Sequence, residues 1–161
     1  MKWFTKSEPT PEQIQNFLET GESLIAWTIT ESGFIGIGTR QLILVQGETV
    51  ETRNWSDSIS AHWQEPLIQI SFSRGTEIEA IEIKLAEPGL VPTAVRDRVT
   101  SVVIFDKAVD LKEIGKVRFV ARRNGSEVLW STMPITQIAD TPESRELIEL
   151  SLQQLRANLG I

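Results

Sequence analysis

Leu24-Ile25-Ala26-Trp27-Thr28-Ile29-Thr30-Glu31-Ser32-Gly33-Phe34-Ile35-Gly36-Ile37-Gly38 reads as a strand, a tight turn and a second strand. β-Branched and aromatic residues suit a pleated, half-buried surface, and Glu31-Ser32-Gly33 supplies the break between the runs. The same rhythm continues outward. Leu42-Ile43-Leu44-Val45 predicts a third strand, Gln46-Gly47-Glu48 a turn, and Val50 to Trp55 a further strand. Ile59 to Trp63, Leu67 to Phe72 and Ile78 to Leu85 follow, broken at Pro66 and at Arg74-Gly75-Thr76. Turn signals at such short, even intervals predict an antiparallel sheet architecture.

The flanks change period. Thr10-Pro11-Glu12-Gln13 predicts a helix start, with Ile14, Phe17 and Leu18 on one face and Gly21 as its stop, two to three turns in all. Val95, Val99, Val102, Val103 and Phe105 predict a short helix beginning near Thr93. Val117 to Arg123 and Val128 to Trp130, joined at Asn124-Gly125, predict a hairpin. At the end, Thr141 caps a helix with Pro142 in its first position. Leu147, Ile148, Leu152, Leu155 and Leu159 form its apolar stripe, which is expected to cover an open face of the β unit. The reading is α+β: residues 1–9 form an arm, and residues 10–161 one domain. That domain is a small antiparallel β-barrel or two packed sheets, with a C-terminal amphipathic helix and peripheral helices.

Chemistry is scarce in this chain. Among 161 residues there is no Cys, no Tyr and one His, His62. Those residue types supply most nucleophiles, near-neutral proton carriers and soft metal ligands. No Walker loop, dinucleotide loop or EF-hand loop occurs; Phe34-Ile35-Gly36-Ile37-Gly38 has no helix behind it, so its glycines are expected to permit bending or close packing. His62 has no carboxylate at triad or metal spacing, and if Trp63 points inward His62 faces solvent. Asp106 and Asp110 at four-residue spacing, or Glu77, Glu79 and Glu82 near one strand, could hold a cation, and Glu77 and Glu79 fall on one strand face as a paired acid/base site would need. Trp55 is read as a core anchor. No cofactor is expected.

The net charge of -6 argues against a broad nucleic-acid surface. The charge is uneven, however. Residues 96–123 hold eight basic and four acidic residues, so this stretch is positive within an acidic chain. If residues 93–104 are helical, Arg96 and Arg98 diverge by about 200° and cannot grip one anion. Arg118 and Arg122 share a strand face. Arg96, Arg118 and Arg122 are therefore the candidate anion- or partner-binding residues. No run of about 18 apolar residues occurs that would cross a bilayer, and Met1-Lys2-Trp3-Phe4-Thr5-Lys6 lacks the apolar stretch of a secretory signal. The expected location is cytoplasmic.

A meander closed by an amphipathic helix is similar to the pleckstrin-homology-like barrel. Six segments carry a closer likeness: Leu24-Ile25-Ala26-Trp27, Gly38-Thr39-Arg40-Gln41-Leu42, Asn54-Trp55-Ser56 with Ile59, Ala61-His62-Trp63, Val95-Arg96-Asp97-Arg98-Val99-Thr100, and Val117-Arg118-Phe119-Val120-Ala121-Arg122-Arg123. In that order they resemble a family of small uncharacterised actinobacterial proteins, over residues 22–159. Where members of that family often carry a basic or His-containing stretch, this chain has Phe105-Asp106-Lys107. The resemblance implies a fold and no reaction. The expected function is a non-catalytic binding or scaffolding module that recognises a protein segment or self-associates. The alternative is a sensor of a phosphorylated ligand or lipid headgroup through the arginines.

Overall fold

The structure is a computed structural model that describes residues 10–75 and 77–161. The arm expected over residues 1–9 lies outside the described residues. Ten strands form three antiparallel sheets. The first is a meander of β1 (Leu24–Ile29), β2 (Gly33–Gly38), β3 (Gln41–Gln46) and β4 (Thr49–Asn54). Both of its faces are covered. Ile35, Ile37, Leu42 and Leu44 enter the main core. Ile43 and Val45 point the other way, against Ile14 and the flanking Leu18, Trp27 and Phe34. Double coverage explains why residues 42–45 read as a continuous apolar run without alternation.

The second sheet is β5 (Ser58–Gln64), β6 (Leu67–Arg74) and β7 (Glu77–Lys84), in that order. Here one face is wet, and alternation is clean: Ile68, Ile70 and Phe72 are buried, while Leu67 and Gln69 are exposed. The helix α2 (Val91–Val102) lays Val91, Ala94, Val95 and Val99 into the same core. These positions repeat at three- and four-residue intervals, which puts them on one helical face.

The third sheet consists of β8 (Val103–Leu111), β9 (Gly115–Asn124) and β10 (Glu127–Pro134), with β9 central. Ile59, Val120 and Met133 join it to β5. The hairpin expected at Asn124-Gly125 forms, and Gly125 takes a φ of 62° in its two-residue loop.

Several expectations are corrected. The chain is α+β with antiparallel sheets and a C-terminal helix, but the described residues form three sheets and no closed barrel. Among the described residues, the main-chain pairing between the first two sheets is one isolated bridge, Thr30 to Leu85. A short 3-10 turn, Trp55–Asp57, carries the chain from β4 to β5 without pairing them. α2 contributes Val91, Ala94, Val95 and Val99 to the core that the first two sheets share. The N-terminal helix, α1 (Glu12–Gln15), is one turn long where two to three turns were expected. The predicted helix near Thr93 begins at Val91 and ends before Val103, so Phe105 lies on β8, a strand the sequence reading missed. The C-terminal helix, α3 (Pro142–Leu159), is capped by Thr141 as expected. Its residues are not part of the main core: Leu147, Ile148, Leu152 and Leu155 are half-buried, and Leu150 and Leu159 stay exposed.

Candidate functional site

Among the described residues, β5 is an outer strand paired with β6 alone, in a register that includes Ala61–Ile70, His62–Gln69 and Trp63–Ile68. α2 packs close to β5, and its buried face shares the main core with Ala61 and Trp63. Among the described residues, no main-chain hydrogen bond outside the β5–β6 ladder reaches residues 60–64. A cleft of about 490 Å³ lies between strand and helix. Ala61, His62 and Trp63 form its strand wall, and Ile68 and Val99 contribute apolar surface. Pro92, Thr93, Arg96 and Thr100 form the helical wall. Thr93, Arg96 and Thr100 stand three and four residues apart, so α2 presents them together. Trp63 packs on the main core while His62 is exposed, as strand alternation requires.

The three arginines singled out from sequence have different surroundings. Arg96 lines the cleft and, among the described residues, has no hydrogen-bond or ion-pair partner. Arg98 turns away, as helical geometry requires, and its guanidinium approaches the Thr39 carbonyl at 3.5 Å. Arg118 makes a two-pronged pair with Asp106 across β9 and β8, at 2.8 and 2.5 Å. That pairing holds its guanidinium above the usual arginine range. Arg122 is buried. It donates to the Ser56 carbonyl at 3.0 Å and to Ser131 Oγ at 2.8 Å, with Asp57 at 3.6 Å. Burial pushes its pKa down and Asp57 opposes the shift. Arg118 and Arg122 thus already have internal acceptors, and neither lines the cleft that holds Arg96.

The carboxylates are similarly engaged. Glu79 accepts from Arg53 at 2.9 Å and from Arg74 at 3.3 Å. The Arg53 hydrogen bond holds its carboxyl below the ordinary glutamate range, the reverse of a proton-holding acid. Among the described residues, no three His, Asp or Glu gather in a way that would hold a metal ion. No helix among them is long and apolar enough to cross a membrane.

Sequence reasoning flagged Arg96 but missed the cleft around it. Thr93, Thr100 and Trp63 belong to that site. The legible signal was the Thr93-x-x-Arg96-x-x-x-Thr100 spacing, which aligns the three side chains once the segment is known to be helical. Comparison with protein-family models, curated proteins and solved structures finds no match to this chain.

Proposed function

We propose that the protein is a non-catalytic, cytoplasmic binding module that takes an extended segment of a partner protein as an added strand on β5. The observation that carries this reading is an unpaired strand edge lying along a cleft. The edge offers main-chain donors and acceptors, and the cleft offers room for the side chains of the added strand. Edge strands are usually blunted by charge. β4 carries Glu51 and Arg53, β7 carries Glu77, Glu79, Glu82 and Lys84, and β8 carries Asp106, Lys107 and Asp110. β10 carries Glu127 and ends in Pro134. β5, Ser58-Ile59-Ser60-Ala61-His62-Trp63-Gln64, has no Asp, Glu, Lys or Arg. β1 is also uncharged, but the Thr30–Leu85 bridge ties off its end.

We propose further that residues 10–161 are a single pleckstrin-homology-like domain in an open form. Its support is the order of four strands, three strands and one helix laid into the shared core. The alternative anion sensor would have Arg96 alone of the three arginines facing the cleft.

Selection from a display library of randomised linear peptides tests the proposal. Enriched peptides should lose binding when alternate backbone amides are N-methylated in one register, and keep it in the other. Binding that is indifferent to both methylation registers would contradict strand addition. Sedimentation of the peptide-free protein checks the remaining occupant of this edge, a second copy paired through β5, which would double the mass.

A further inference from the structure

We infer that the segment taken at β5 is acidic, and that a carboxylate side chain of that segment seats between Arg96 of α2 and His62 of β5. The inference rests on the strand-addition reading and supplies its specificity. The residues lining the cleft include no Asp or Glu, although the chain as a whole has a net charge of -6. Six arginines of the described chain form internal ion pairs: Arg40, Arg53, Arg74, Arg118, Arg122 and Arg145. Arg96, like Arg98, Arg123 and Arg156, forms none among the described residues, and of these four it is the one that lines the cleft.

The neighbours of Arg96 favour the same ligand chemistry. A guanidinium only donates hydrogen bonds, and hydroxyls donate as readily as they accept. Thr93 and Thr100 flank Arg96 on one helical face, and His62 stands on the opposite wall. The site is thus rich in donors and holds no negative charge, which complements an acceptor-only carboxylate on the partner. Ala61 and Trp63, both half-buried, offer apolar surface, so a segment alternating acidic and apolar side chains would fit both the strand period and the cleft.

The test runs the randomised linear-peptide selection on the full chain and on Arg96→Glu in parallel. Arg96 is exposed, so the substitution leaves the core untouched, and circular dichroism confirms the fold. The full chain should enrich Asp or Glu at one fixed position between apolar residues. Arg96→Glu should switch that position to Lys or Arg and weaken the acidic peptides about tenfold, the effect of one charge-assisted contact. His62→Gln should weaken them less. The affinity for acidic peptides should also fall as salt rises, because exposed charges are screened. Enrichment of neutral segments, or one consensus shared by both proteins, would overturn the acidic preference and leave strand addition standing. Enrichment of no linear peptide at all would contradict strand addition itself, and this inference with it.

Discussion

Arg122 donates from Nη1 to the main-chain carbonyl of Ser56, 3.0 Å away and 66 residues earlier in the chain. Through this contact and Ser131 Oγ, one buried cation fastens the third sheet to the turn that joins the first two. Such a guanidinium is a fold-holding group, and its burial leaves little of it open to a ligand.

Arg122→Met should therefore destabilise the protein by about 2 kcal/mol, since the Ser56 carbonyl and Ser131 lose a charged donor. Arg122→Lys should recover only part of this, because an ammonium lacks the forked geometry. Urea denaturation of the three proteins measures both effects. Equal stability of Arg122→Met and the parent would show that this contact does not hold the sheets together.

Trp55 is 2% exposed, and its Nε1 donates to the Gly38 carbonyl at 2.9 Å. Trp55→Phe removes that donor and leaves unfilled volume beside Phe72. The expected cost is about 2–3 kcal/mol, read from thermal or urea unfolding.

Gly38 and Glu22 form a tight pair. A Cβ at Gly38 would collide with the Glu22 carboxylate. That carboxylate accepts from the main chain of Arg40 and Gln41 at 3.0 Å each, and from the Gln41 side chain and Glu19 main chain at 2.9 Å each. Gly38→Ala should act by displacing Glu22, at a cost of about 1–3 kcal/mol. The double variant Gly38→Ala/Glu22→Ala should then be about as unstable as Glu22→Ala alone. Simple addition of the two losses would contradict this coupling.

Arg53 and Glu79 link the first sheet to the second at 2.9 Å. Because Arg53 lowers the Glu79 pKa, the pair stabilises the fold fully above the ordinary glutamate range. That contribution is lost as pH falls through the depressed value. Arg53→Met should therefore be less stable than the parent at neutral pH, and the gap should close on acidification below the ordinary range. A gap that is constant with pH would assign the loss to packing. Denaturation midpoints across an acid series decide between the two.

Local chemistry made most of the β structure legible. The first seven strands follow from alternation and turn residues, and Thr141-Pro142 marks the start of α3. The close packing expected at Gly36 and Gly38 appears against Ile14 and Glu22. What failed was set by long-range packing. β8 reads poorly because its burial is uneven and its first residues continue the valine spacing of α2. The barrel was overestimated because the spacing of strands and turns does not show which strands pair across a sheet boundary. The third sheet was missed with β8, since its hairpin alone has no visible partner. Of the candidate arginines, Arg96 could be separated from Arg98 by helical geometry. The internal acceptors of Arg118 and Arg122 come from β8 and from the turn at residues 55–57, segments that sequence spacing does not bring near them.

The central claim is best tested by amide hydrogen exchange on the full chain, with and without a display-selected peptide. Strand addition predicts new protection at outward-facing amides within residues 60–64 of β5, with little change along β4, β8 or β10. Protection confined to one of those other edges, with residues 60–64 exchanging as before, would contradict it.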